Sequence, residues 1–397
     1  MIQTQFHPPS SPSTSLALFC KVIDNFGDIG ICWRLARQLS NEHQITVTLW
    51  VDDLISFKKI CPELDVETER QIVQNIHVRH WRNQDAYFEI TEIADIVIEF
   101  FGCDIPPNYI ATMSKCQPKP VWLNLEGLSA EEWVEGCHTL PSSHPQYPLT
   151  KYFFFPGFTY QTGGLLLENN LIKEREQFVH AATQVNDFLK QLGLTPEEMN
   201  SFKVSMFCYP HAPLSTLFDT WKQSNEAITC LVPAGVANEA VSVFLESDAI
   251  PGANRKRGNL TLRVIPFVPQ NAYDKLLWSC DLNFVRGEDS FVRAQWAGKA
   301  FIWHIYPQDE NLHHKKLQAF LNAHTAESTS SRRFALAWNA ALTESDWSDL
   351  WLTYRKDLTE IQSLSLMWQQ KIQSIGDMTS NLLSFINSKI EKRPKIG

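Results

Sequence analysis

Residues 18–37, LFCKVIDNFGDIGICWRLAR, read as strand, tight loop and helix. Leu16, Ala17, Leu18 and Phe19 lead into Val22 and Ile23, a short apolar run bounded by turn residues, which suits a strand buried in a parallel sheet. Asp24, Asn25, Gly27, Asp28 and Gly30 then crowd seven positions, the composition of a turn whose backbone passes close to something else. Ile31, Leu35 and Leu39 follow at helical spacing, with Arg34 and Arg37 on other faces, which makes an amphipathic helix.

Two carboxylates after the first strand of an open α/β sheet stand where such sheets bind ligands, at the carboxyl ends of the strands. Asp24 and Asp28 are therefore the first catalytic candidates. The plainer alternative is that Asp28 only caps the helix, as Asp often does. GDIG lacks the GxGxxG order of a dinucleotide fingerprint, and no GxxxxGK[ST] phosphate loop occurs, which disfavours NAD and P-loop chemistry.

Working outward, 397 residues imply about two domains, and 44% hydrophobic with 20% charged residues is ordinary for a globular protein. The 24 Phe and 13 Trp are a high aromatic load; most are expected in the core, but a cleft lined with rings also holds planar or sugar ligands. A net charge of -9 with no basic stripe argues against general nucleic-acid binding and favours a basic acceptor. Nine cysteines without a CxxC pair read as reduced core thiols. The first 15 residues, MIQTQFHPPSSPSTS, are polar and Pro/Ser-rich without an apolar h-region, so a disordered lead-in is expected and not a signal peptide. With no apolar run near 18 residues, a cytoplasmic protein is expected.

Strands are expected at 44–51, 72–78, 93–99 and 120–125 with a helical stretch from Asp52 to Cys61, and strands alternating with helices mean a parallel, doubly wound sheet. Glu99 and Glu126 end two of these strands, and Glu126 is a candidate ligand contact. Ser129 and Glu132 match a helix capping box. Residues 141–164, PSSHPQYPLTKYFFFPGFTYQTGG, have no period and read as a long connection to a second domain, before a helix over 174–192. Strands at 202–209, 227–232, 260–267, 282–285 and 300–305 then repeat the architecture, leaving a cleft between two sheets, and the last fifty residues are helical.

The densest chemistry of the second half is residues 282–314, LNFVRGEDSFVRAQWAGKAFIWHIYPQDENLHH. A strand ends at Arg286 and Gly287, and a helix starts at Asp289 or Ser290. Helix N–H groups beside an arginine make an anion site suited to a diphosphate. Glu288 and Asp289 are placed to accept sugar hydroxyl hydrogens, and Tyr306 opens a second helix start facing the same pocket. A pair of ordinary capped helices is the alternative. His304, His313, His314, Asp309 and Glu310 lack HxxxH or HExxH spacing, so no metal is expected.

VIDNFGDIG at 22–30, IPFVPQ at 265–270, RGEDSFVRAQ at 286–295 and WHIYPQDEN at 303–311 together resemble the bacterial protein-arginine rhamnosyltransferases, the EarP family. The resemblance implies an α/β GT-B glycosyltransferase with two Rossmann-like domains facing across a cleft and a carboxyl-terminal helix crossing back. It implies residues 16–165 with about 365–397 on the acceptor side, 166–195 as linker and helix, and 196–364 as the nucleotide-sugar domain. It further implies transfer of rhamnose from dTDP-β-L-rhamnose to an arginine of translation elongation factor P, with inversion and without metal or other cofactor. By the same resemblance Asp28 matches the general base and Asp24 its partner at the acceptor arginine. Phe207 and Phe267 match the rings around the thymine, with Gln270 and Tyr209 nearby. Arg286, Glu288, Asp289 and Ser290 match the nucleotide-sugar loop, and Tyr306 a residue at the diphosphate. A guanidinium is a poor nucleophile, so two acids able to localise its charge and take its proton fit an arginine acceptor. The competing readings are a transferase or epimerase acting on a small molecule or glycan, and a non-catalytic sugar-nucleotide-binding module.

Overall fold

From Leu16 to Cys20 the first strand is apolar because both of its faces are covered: Leu16, Leu18 and Cys20 enter one core cluster, while Ala17 and Phe19 enter another. The computed structural model describes residues 14–24, 26–82, 84, 86–324, 328–342 and 346–391. Residues 1–13 of the expected lead-in, and Asn25 of the loop, lie outside the described residues, and Ser15 already opens a strand.

The first sheet contains β1 (Ser15–Cys20), β2 (Thr46–Val51), β3 (Arg70–Val73), β4 (Ile76–His80), β5 (Ile96–Phe100), β6 (Val121–Leu125), β7 (Pro141–Ser143) and β8 (Thr150–Phe154), in the order β3-β4-β2-β1-β5-β6-β8-β7. Only the edge strands β3 and β7 run antiparallel to their neighbours. The second contains β9 (Phe202–Met206), β10 (Ile228–Pro233), β11 (Asn254–Arg257), β12 (Leu260–Ile265), β13 (Leu282–Arg286) and β14 (Ala300–His304), in the order β11-β12-β10-β9-β13-β14. In the first sheet the strand order reverses between β1 and β5, in the second between β9 and β13. Such reversals open a crevice at the carboxyl ends of the strands.

Four expectations are corrected. The single strand over 72–78 is a hairpin, β3 and β4, turned by Gln74 and Asn75 at φ 49° and 65°. A Gln-Asn pair is not the usual signal for that two-residue turn. The connection over 141–164 contains β7 and β8, and β8 extends the parallel sheet beside β6. It has no alternating pattern because its rings are covered: Tyr152 and Phe154 stand 5.4 and 6.3 Å from the ring of Phe385. The helix over 174–192 is two, Leu171–His180 and Ala182–Gln191, broken where Ala181 takes φ -94° and ψ 81°. The capping box at Ser129 does not form either, since that hydroxyl meets Glu131.

The helices that matter for the site are α1 (Phe26–His43), α2 (Gln270–Ser279), α3 (Asp289–Ala297), α4 (Leu312–His324), α5 (Leu358–Ser374) and α6 (Met378–Glu391). On α1, Leu35 and Leu39 are fully buried against the first sheet. Its other side meets the second half so closely that a methyl group at Gly30 would stand 3.1 Å from Asp289 Oδ2. Ile361 of α5 joins a core of the second half, Trp368 and Ile372 join a cluster that also takes in Leu128, Phe158 and Leu165 of the first, and an isolated bridge pairs Asp377 with Leu165. There Met378 N–H donates to Leu165 O at 2.9 Å, and Met378, Leu382 and Ile386 of α6 join the first core.

Ionic bonds join the halves behind the cleft. Arg34 of α1 is 2% exposed and donates Nε to Asp289 at 2.8 Å, Nη1 to Asp274 at 3.3 Å and to Glu168 at 3.5 Å, and Nη2 to Gln270 O at 3.3 Å. Arg293 of α3 forks onto Asp274 at 2.7 and 2.9 Å and reaches Glu168 at 2.6 Å. Removing one partner of a buried pair strands the other, so Arg34→Met is expected to cost about 3–5 kcal/mol, read as a lower urea midpoint. Burial alone would raise the Glu168 carboxyl, but Arg293 and Arg34 outweigh it and bring it down to about 2. Its stabilisation is present above the unfolded value of 4.5 and lost as pH falls through about 2. Across that window the wild type should lose stability more steeply than Glu168→Gln in acid-melting measurements.

Candidate active site

The loop after β1 and the loop after β13 face each other across the two crevices. A carboxylate inside the first turn of α1 has backbone N–H groups to hand, and Asp28 turns back onto its own loop: Oδ2 accepts from Ile23 N at 2.7 Å and Asp24 N at 2.8 Å. It does not cap the helix's free N–H groups; it closes the loop that presents Asp24. The residue is 5% exposed, and burial pushes its carboxyl up despite the two N–H donors, with the nearby Asp52 charge pushing the same way. Oδ1 has no partner among the described residues.

Asp24 Oδ2 accepts the Tyr209 hydroxyl at 2.6 Å, a bond between the halves. Burial raises the Asp24 carboxyl to about 6; the Tyr209 donor and the Arg286 charge oppose this, and the Asp28 charge adds to it. Arg286 lies over the rings of Phe207 and Tyr209, its guanidinium carbon 4.6 and 4.8 Å from their centres, and donates Nη1 to Cys208 O at 3.2 Å. Ser290 straps this turn, its hydroxyl bonded to both N and O of Arg286.

Two cavities meet here. The narrow one, about 50 Å³, is lined by Phe26, Phe207, Phe267, Tyr273, Arg286 and Gln270; the wide one, about 520 Å³, by Asp28, Glu126, Glu288, Tyr306, Trp133 and Lys316. Asp24, Gly27 and Gly287 line both. Gly287 allows the meeting: at φ 59° it holds a left-handed turn, and a methyl group there would stand 2.6 Å from Asp24 Oδ2. In the wide cavity, burial raises Glu288 to about 7 against the Lys316 charge, while its Oε1 accepts Leu128 N–H from the other half at 2.9 Å. Burial, with Glu99 nearby, also raises Glu126, whose Oε1 accepts from Asn124 at 2.5 Å. Tyr306 is 42% exposed, 5.7 Å from the Tyr209 ring.

Eleven of the twelve sequence candidates line the two cavities, and the twelfth, Tyr209, bonds to Asp24 in their shared wall. Two of the eleven have their side chains committed elsewhere: Asp289 to Arg34, and Gln270 to Gly30 O at 2.8 Å, to Asp289 at 3.2 Å and to Arg37 at 2.9 Å. They line the narrow cavity while tying α1 to α2 and α3. Sequence reasoning missed Phe26, whose ring sits 4.9 Å from that of Phe267, and it missed Lys316 and Trp133. Phe26 was legible only as part of the Asp/Gly loop, and the other two had no local signal. Among the described residues no cluster of three or more His, Cys, Asp or Glu is placed to hold a metal, and no helix is long and apolar enough to cross a membrane. All nine cysteines are free.

Two parallel sheets opposed at their switch points, with a last helix returning to the first, define a GT-B glycosyltransferase. A ugt transferase from Siraitia grosvenorii, solved in complex with UDP, shares the fold with a TM-score of 0.50 at 11% identity, over 95% of this chain and 99% of its own. The profile of the family described as elongation factor P (EF-P) rhamnosyltransferase EarP matches residues 16–387. Protein-arginine rhamnosyltransferases of Pseudomonas putida and Pseudomonas aeruginosa are 43% and 39% identical, covering 94% and 93% of this chain and 98% and 97% of their own. A structure described as the basis for EarP-mediated arginine glycosylation of translation elongation factor EF-P matches with a TM-score of 0.64 at 30% identity, over 95% of this chain and 99% of its own. The chain belongs to the EarP family and is an enzyme of the protein-arginine rhamnosyltransferase class.

Gly287→Ala forces a side chain into a left-handed turn and against Asp24, at a cost of about 1–3 kcal/mol. Its turnover is expected to fall further than its melting temperature accounts for, measured by steady-state kinetics beside thermal denaturation.

Proposed function

We propose that this chain moves rhamnose from dTDP-β-L-rhamnose to an arginine side chain of translation elongation factor P, with inversion at the sugar carbon. The half around the first sheet takes the acceptor and the half around the second takes the nucleotide sugar. In this reading the thymine enters between Phe207 and Phe267, and Arg286 with the amino-terminal turn of α3 meets the diphosphate. The sugar then lies in the wide cavity, where Tyr306 and Glu288 reach it.

The observation that carries the proposal is the meeting of the two cavities at Asp24 and Gly287. One side offers rings and a guanidinium, suited to a nucleoside diphosphate; the other offers carboxylates, suited to a cationic nucleophile. The arginine nitrogen attacks the sugar carbon from the face opposite the diphosphate. A C–N bond forms, the C–O bond to the diphosphate breaks, and the nitrogen's proton passes to Asp28. Asp24 localises the guanidinium charge, and both anions stabilise positive charge developing on the sugar. These are roles for the chain's own residues with no metal step, in the cytoplasm where elongation factor P works.

Intact mass spectrometry of elongation factor P after incubation with enzyme and dTDP-rhamnose tests the reading: one added deoxyhexose is expected, and an unchanged mass overturns it. Asp28→Asn keeps shape and hydrogen bonding, and transfer is expected to fall at least ~100-fold while dTDP affinity stays close to wild type. Phe267→Ala should weaken dTDP in calorimetry, and a chelator should not. Turnover should fall as pH drops through about 6, where Asp24 takes up a proton. The stability term has the opposite slope: with a folded value raised from 3.8 to about 6, that carboxyl's contribution is full below 3.8 and lost as pH rises through 6. The pH that favours turnover is therefore the one at which Asp24 favours folding least.

A further inference from the structure

The segment carrying Phe207 and Tyr209 runs beyond the end of its sheet ladder. Phe207 N–H still donates to Phe284 O at 3.0 Å, but the next peptide groups are buried with no strand beside them. Buried main-chain groups need partners, and two side chains from neighbouring strand ends supply them. Arg286, ending β13, donates to Cys208 O; His304, ending β14, accepts Tyr209 N–H on Nδ1 at 3.2 Å. Tyr209 is thus held by its main chain while its hydroxyl donates to Asp24 at 2.6 Å.

The acceptor role of His304 Nδ1 sets its tautomer, with the ring proton on Nε2. His211 Nε2 lies 3.1 Å from that nitrogen, so it accepts, and His211 carries its own proton on Nδ1. The His211 ring also stacks on Tyr209, centres 5.9 Å apart and 5° from parallel. His304 is 2% exposed. Burial first, then the charges of His211, Arg286 and His313, hold it down to about 3, so it stays neutral and keeps accepting. The rings of Tyr209 and Trp338, 5.1 and 5.6 Å away, close its remaining sides. Protonation of exposed His211 at Nε2 would face the His304 N–H donor to donor; relief requires the other His304 tautomer, which meets Tyr209 N–H in the same way.

We propose that His304, backed by His211, is a positioning residue for the transfer reaction: it fixes the main chain of Tyr209 and so places the tyrosine hydroxyl on Asp24. The inference rests on the transfer chemistry proposed above for its kinetic consequence, but not for its geometric one.

The test compares wild type, His304→Leu and His304→Asn. Leu fills the ring's space and accepts nothing, whereas Asn presents an oxygen where Nδ1 stood. In His304→Leu, kcat for transfer to elongation factor P is expected to fall ~10-fold, the scale of one lost hydrogen bond. Calorimetric affinity for dTDP should stay within ~2-fold of wild type, since Phe207 keeps its ladder bond. With Tyr209 loosened, Asp24 loses a donor, so carbon-13 NMR titration should show its carboxyl moving to higher pH. Asn should restore both rate and titration. The NMR arm needs no substrate, so it stands even if elongation factor P proves not to be the acceptor. Wild-type kcat and Asp24 titration in His304→Leu would overturn the proposal, as would a folded Asn variant matching Leu in both. Should His304→Leu melt far below wild type, His211→Leu at the exposed end decides. The Asp24 titration must move the same way, with recovery in His211→Gln, and no movement overturns the inference.

Discussion

Everything at the cleft depends on Arg34 being neutralised from the opposite half of the molecule. Its guanidinium is 2% exposed and meets Asp289, Asp274 and Glu168, none of which belongs to its own sheet. Arg293 answers from the other side, sharing Asp274 and Glu168. Taking such charges out of water is expensive, and the cost is recovered only when every hydrogen bond is made. The network therefore specifies one relation between α1 and α3 and, with it, the distance between the loops that carry Asp24 and Gly287. Pairing with Arg34 also offsets the negative charge of Asp289 in the wall of the narrow cavity.

In front of that anchor the acids are arranged on the opposite principle. Asp24, Asp28, Glu126 and Glu288 are all raised, each first by burial, which outweighs the cations nearby: Arg286 for Asp24, Lys316 for Glu288, and Lys151 with Lys316 for Glu126. Each of these acids therefore holds a proton more tightly than it would in water, Asp24 up to about 6 and Glu288 up to about 7. Tyr209 and Arg286 restrain Asp24 and keep it from rising further.

Much of this was legible in one dimension. The β1 loop, with its acids and glycines, announced a turn under close approach at a strand end, and two cavities meet there. The strand-and-helix alternation announced two parallel sheets. Four separated motifs carried the family, and the profile over residues 16–387 agrees. Where the pattern failed, packing from distant residues had replaced it: Phe385 covers β8, which the sequence offered only as a connection.

The sequence by itself determined which elements form and which residues are chemically able to act, since hydrophobic period, turn composition and residue type are local properties. Only the tertiary structure decided how those residues are used. Asp28 folds back on its loop and does not cap its helix, Asp289 and Gln270 hold the halves together, and His304 accepts the main-chain N–H of Tyr209. The physical reason is that burial and pairing set the charge and direction of a polar side chain, and both come from atoms far away in sequence: 255 positions separate Arg34 from Asp289, and 185 separate Asp24 from Tyr209.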